Sequence, residues 1–230
     1  MILISSHISG SSQQKNERLF KRQTALMKRN RKMENAETVH ESTPERINAF
    51  SDGVFAIIIT IMILELKRPS NPTFGALFAE WPTWISYVVS YIFIAIVWIN
   101  HHYLLKHATV ATLHLMWANF AHLFSVSLIP FDTDWMAETR LQPVPVAMYG
   151  FVFLLVNITY LLLIRETMGT KKSMDMPNRA TRLFHVRSVL TILIFGSGMV
   201  VALWHSYVGF GIICACLVLY LRPEVPGMKT

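Results

Sequence analysis

The chain reads as an all-α, polytopic membrane protein with six transmembrane helices per subunit, and three observations carry that reading. Its 230 residues are 53% hydrophobic and only 15% charged, where a soluble domain carries roughly 25% charge. A water-facing surface built from so few charges does not cover so much apolar area, whereas a bilayer supplies an apolar solvent directly. The charges are also concentrated, with 13 of the 35 in the first 45 positions. Between them the chain runs in long uncharged windows.

Each window is measured against the ~20 apolar residues needed to cross a ~30 Å hydrocarbon layer. Residues 81–105, 107–131 and 141–164 hold 25, 25 and 24 uncharged residues, histidine counted as neutral. Each makes one helix. The window 188–221 holds 34, too many for one crossing, and is predicted to fold as a helical hairpin turning near Trp204-His205-Ser206-Tyr207. The segment 46–67 spans 22 residues but carries Asp52 and Glu65, which makes it the unusual helix. The predicted spans are 46–66, 82–104, 109–130, 143–164, 184–203 and 207–221. Residues 1–45 form a cytoplasmic polar and basic tail, 46–222 the membrane domain, and 223–230 a cytoplasmic carboxyl-terminal tail.

Lys and Arg bias sets the orientation. Residues 15–32 carry eight basic side chains against Glu17, which places the amino terminus in the cytoplasm. The loop 165–182 balances five basic against two acidic residues, and the acidic loop with Asp132, Asp134 and Glu138 against Arg140 lies outside. Lys67-Arg68 runs against the bias and marks the end of the first helix. With six crossings both termini are cytoplasmic, in the inner (plasma) membrane of the cell. The net charge of +7 is then topology, and nucleic acid is excluded as a partner. Met1-Ile2-Leu3-Ile4 is too short for a signal-peptide core.

Cys214 and Cys216 lie ~200° apart on a helix, which excludes a disulfide scaffold. Nine histidines, among them His101, His102, His107, His114 and His122, invite a metal or haem reading. The adjacent His101 and His102 diverge by ~100°, and no His, Cys and carboxylate set has ligand spacing, so neither metal nor cofactor is expected. No nucleophile–base pair or phosphate loop is present, so no catalytic residue is assigned. Trp81, Trp84, Trp135 and Trp204 fall near helix ends as an aromatic belt.

The first helix carries the chemistry. Thr43-Pro44-Glu45 is a helix-start signal. Behind it, Arg46 and Asp52 occur in a membrane helix, where charges are costly unless paired or wet; they are either a structural clamp or functional. Ile57, Thr60, Ile61 and Leu64 fall at i, i+3, i+4 and i+7, one helical stripe, with Asp52 ~140° away from Ile57. That stripe faces lipid or a neighbouring helix, or else copies of it meet around an axis as a hydrophobic constriction.

Arg46-x3-Phe50-Ser51-Asp52-Gly53-Val54-Phe55-Ala56-Ile57, followed by Thr60, resembles the RxxxFSD signature in the first helix of the transmembrane protein 175 potassium channels, in particular their bacterial single-repeat members. Trp98-Ile99-Asn100-His101-His102, Asn119 and Pro130-Phe131 are similar to elements of the same family. The resemblance implies a potassium-permeable channel assembled as a homotetramer, with helix 1 lining a central pore. It implies a constriction at Ile57, Ile61 and Leu64, with Thr60 at a position tied to selectivity. It also implies an interhelical polar network of Arg46, Phe50, Ser51, Asp52, Trp98, His102 and Asn119, the choice between His101 and His102 remaining open. No TVGYG-like loop occurs, so the usual carbonyl filter is absent and selectivity over sodium is expected to be moderate. The permeant ion is potassium, and lipid is the remaining partner. A proton-coupled secondary transporter using Asp52 and the membrane histidines is the alternative; a membrane enzyme is disfavoured.

Overall fold

The computed structural model describes residues 44–108, 110–169 and 178–220, together with helical positions 20, 22–24 and 26–28. The side chains of 178–188 and 218–220 lie outside the described residues, as do most of the basic stretch 15–32, much of the loop 165–182 and the tail 223–230. Two units are distinguished, residues 1–41 and 42–230, and every helix from Pro44 onward belongs to the second.

Helix α1 spans Pro44–Met62 and passes into a 3-10 turn at Ile63–Glu65. A proline at the first helical position costs nothing, since the N–H it lacks would have no partner there. The short helix α2 (Phe74–Ala79) starts where Thr73 Oγ1 accepts from the Ala76 amide at 3.2 Å. Helices α3 (Trp81–Lys106), α4 (Leu113–Ser127), α5 (Ile129–Glu138), α6 (Pro143–Gly169), α7 (Asn178–Ala202) and α8 (Ser206–Tyr220) complete the order. Among the described residues three helical segments are long and apolar enough to cross a membrane: Pro44–Glu65, Trp81–Lys106 and Pro143–Met168. Val189–Ala202 and Ser206–Leu217 are shorter apolar helices.

The core sits where α1, α3, α5, α6 and the α7–α8 hairpin meet. Phe93 and Phe153 stack at 3.7 Å between centroids, and Phe195 from α7 meets Phe153 edge-on at 5.6 Å. These three rings are 0% exposed. Aromatic pairs in offset or edge geometry add to what their burial alone contributes.

The α7–α8 hairpin turns at residues 203–205, within the predicted Trp204–Tyr207 region. Small residues permit the close crossing: a Cβ placed on Gly209 would lie 2.5 Å from Ala202 Cβ and 2.6 Å from its Cα. Those backbone atoms cannot move aside. Gly209→Ala is therefore expected to destabilise the fold by about 1–3 kcal/mol through overpacking. Gly211→Ala, where nothing lies within 4 Å, is expected to be neutral or slightly stabilising. Thermal unfolding of the two variants checks the pair, and equal stability would remove the close-crossing argument.

One expectation is corrected. The acidic segment after the third predicted span is helical: α4 and α5 are separated by Leu128 alone, whose backbone remains right-handed helical. Pro130 falls in the first turn of α5, where no N–H is required. Asp132, Asp134 and Glu138 therefore ride on a helix rather than in a loop. The exception at Lys67-Arg68 also gains a local reason. Lys67 Nζ donates to Glu138, and that bond together with the Asp134 charge raises the ammonium pKa above its ordinary value.

Candidate functional site

Every third or fourth residue of α1 faces inward. Ile47, Ser51, Phe55, Ile58 and Met62 are buried, packing against α3, α4 and α5. The opposite side carries Ala49, Phe50, Gly53, Ala56, Ile57, Thr60, Ile61 and Leu64, all exposed. Ile57, Ile61 and Leu64 are 58%, 43% and 75% exposed, so the predicted stripe is a continuous apolar surface that no other described part of the subunit covers. Thr60 Oγ1 donates to the Ala56 and Ile57 carbonyls at 2.9 and 3.0 Å. Its proton is thus committed to the helix, which leaves the oxygen lone pairs free to accept.

Behind this face lie two polar clusters. The first is half-exposed and joins α1 to α3. Trp98 Nε1 donates to Asp52 Oδ1 at 2.8 Å and Asn48 Nδ2 to Asp52 Oδ2 at 3.2 Å. Asn48 Nδ2 also lies 3.3 Å from His102 Nδ1. An amide nitrogen only donates, so His102 Nδ1 accepts this bond. His102 Nδ1 is 3.8 Å from Asp52 Oδ1.

The second cluster is fully buried and ties four helices together. Ser51 Oγ donates to the Ile47 carbonyl at 2.8 Å and accepts from Asn119 Nδ2 at 3.0 Å. Asn119 Oδ1 then accepts from His101 Nε2 at 2.7 Å. The donors run in one direction, so the His101 tautomer is set by the chain of bonds. His101 stacks on His122 at 5.7 Å with the rings 7° from parallel, and His122 Nδ1 reaches Thr159 Oγ1 on α6 at 3.2 Å. The buried bonds among these groups tie the four helices into one arrangement, while His101 Nδ1 and His122 Nε2 are buried without a hydrogen-bond partner.

Of the predicted residues, the structure brings Asp52, Trp98 and His102 together in one cluster and Ser51 and Asn119 in the other. The two histidines divide between them, His102 joining the first and His101 the second. Arg46 and Phe50 lie outside both. Arg46 is exposed, and Phe50 packs edge-on against Phe120 at 5.6 Å. Sequence reasoning missed Asn48, His122 and Thr159. Asn48 had a usable signal, one helical turn before Asp52 on the same face. Thr159 had none. Among the described residues no group of three His, Cys, Asp or Glu side chains is placed to hold a metal ion.

Residues 46–130, which hold α1, α3, α4 and both clusters apart from Thr159, match the family model described as "Endosomal/lysosomal potassium channel TMEM175". A potassium channel of Chryseobacterium sp. is 31% identical over 182 residues, covering 79% of this chain and 94% of that protein. A potassium channel of Streptomyces collinus is 36% identical over 123 residues, 50% of this chain and 60% of the relative. The human protein named endosomal/lysosomal proton channel TMEM175 is 32% identical over 118 residues, 46% of this chain and 23% of its own length. In fold, the chain is similar to the crystal structure of a lysosomal potassium-selective channel TMEM175 homolog from Chamaesiphon minutus, with a TM-score of 0.70 at 21% identity, covering 80% of this chain and 98% of the other. With the RxxxFSD helix, the clusters it anchors and a relative matched over nearly its whole length, the chain belongs to the TMEM175 potassium-channel family.

Proposed function

We propose that the chain is one subunit of a passive, potassium-permeable cation channel in which copies of α1 surround the pore. The observation that carries this reading is the exposed stripe on α1. A membrane helix that buries one face on its own subunit through two polar clusters, and leaves Ile57, Ile61 and Leu64 with a bare threonine oxygen on the other, is oriented rather than merely inserted. Relatives named as potassium channels support the permeant ion. The full arrangement is six spans per subunit, four subunits about one axis, and both termini in the cytoplasm of a cell bounded by its inner membrane.

In this arrangement Ile57 forms the narrowest ring, with further rings at Ile61 and Leu64. Apolar rings offer an ion nothing in exchange for its hydration shell, so they close by dewetting and conduct when widened. Potassium sheds water more readily than sodium, and the Thr60 oxygens between the rings replace part of what is lost. Selectivity is therefore real and moderate. No cofactor is required.

The alternative, proton-coupled transport through Asp52 and the membrane histidines, draws on the 3.8 Å approach of Asp52 and His102. One experiment separates the readings: purified protein in a planar bilayer with potassium on one side and sodium on the other, at equal pH. The channel gives a current whose reversal potential is shifted toward potassium and which persists without a proton gradient. A flux that saturates and stops when the proton gradient is abolished would establish the transporter instead.

A further inference from the structure

Asp132 on α5 is used by neither the stripe nor the clusters, and its surroundings are unusual. The residue is 0% exposed, and neither carboxyl oxygen has a hydrogen-bond partner. That burial is complete within one subunit, so association with further copies does not supply a partner.

The hydroxyls of Thr133, Ser90 and Tyr149 have no proton to offer it. Thr133 Oγ1 donates to the Ile129 carbonyl at 2.7 Å, so at 2.7 Å from Ser90 Oγ it accepts, and Ser90 donates to it. Ser90 in turn accepts from Tyr149 Oη at 2.7 Å. The chain Tyr149 to Ser90 to Thr133 to Ile129 commits all three of these hydroxyl protons and leaves none of them for Asp132.

No charge compensates either. From α6 the facing titratable group is Tyr149, with Cys214 of α8 in electrostatic reach of that tyrosine. From α3 the buried polar groups of this region are Ser90 and, one turn away, Ser86, whose hydroxyl makes no hydrogen bond; they and Ser125 and Ser127 of α4 carry no charge. Glu65, after α1, and Asp134 line a small cavity with Met62, Tyr87 and Thr133, and both are acidic, so neither is a counter-charge. Lys67 is spent on Glu138 at the exposed end of α5. An enclosed ionised carboxylate with neither donor nor counter-charge from the protein is costly enough that the group takes a proton instead.

We propose that Asp132 is a proton-binding site, a carboxylic acid held neutral in the packing of α3, α5 and α6, that loses its proton to bulk water only when that packing loosens. The unfolded chain releases this proton near the ordinary aspartate value of about 4, whereas the folded chain keeps it. The folded state thus binds the extra proton, and its stability falls as pH rises above that value until the folded group itself ionises.

The test compares the purified full-length protein with Asp132→Asn and Asp132→Leu in lipid nanodiscs, and is independent of conduction. Infrared spectra at pH 7 are expected to contain a protonated-carboxyl C=O stretch that is present in the wild type and absent in both variants. Melting temperatures from pH 5 to pH 8 are expected to fall in the wild type relative to either variant, the gap widening with pH. Leucine serves if asparagine impairs folding, because the site holds no donor that an apolar side chain would strand. A wild-type spectrum without a band assignable to Asp132, or a gap that stays constant across the pH range, overturns the proposal.

Discussion

Replacing Ile57 with asparagine is expected to raise single-channel conductance severalfold and to leave the channel open under conditions that close the wild type. The amide offers hydrogen bonds to water where the isoleucine ring offers none, so the constriction stays wet and the cost of passing a hydrated ion falls. The subunit itself is expected to remain as stable as before, because Ile57 is 58% exposed and belongs to neither apolar core. Ile57→Val, which keeps the ring dry while widening it slightly, is expected to raise conductance less. Planar-bilayer recordings of the three proteins check the order. Conductance unchanged in the asparagine variant would remove α1 from the pore.

Asn119→Ala is expected to be the most damaging single change among the cluster residues. Asn119 is 2% exposed and uses both ends of its amide, one on Ser51 and the other on His101. Truncation leaves the buried His101 Nε2–H without a partner at about 1–3 kcal/mol, takes from Ser51 the bond it accepts while its bond to the Ile47 carbonyl remains, and opens a void that adds to the loss. Trp98→Phe is expected to be milder, since Asp52 keeps its bond from Asn48 and its side chain is 35% exposed, so water replaces the indole. Thermal unfolding in detergent is the measurement. Equal melting temperatures for the two variants would show that the buried cluster does not hold α1 in place. Because that cluster sets which face of α1 is turned outward, Asn119→Ala is also expected to lower the fraction of active channels.

How much of the site was legible depended on periodicity. Ile57, Thr60, Ile61 and Leu64 share one face of any α-helix, so the stripe was available from spacing alone. Residues scattered among different helices have no such rule. That His101 reaches Asn119 while His102 turns to Asn48 and Asp52 is a consequence of how α3 is rotated against α1 and α4, since adjacent residues on a helix point ~100° apart. The same reasoning covers His122 and Thr159, which meet only because α4 packs on α6.

The sequence by itself determined the solvent of this protein and its all-helical class, because scarce charges cannot lie in hydrocarbon and so mark where long apolar helices end. It also determined the hairpin near Trp204, since 34 uncharged residues exceed a bilayer's thickness. Only the tertiary structure decided which side of α1 is left bare and which histidine serves which cluster. It alone showed that Asp132, read from the sequence as a charge in an external loop, is enclosed on a helix without a donor. The physical reason is common to all three: hydropathy and helical period are local quantities, whereas burial and hydrogen-bond partners depend on the rotation of one helix against another.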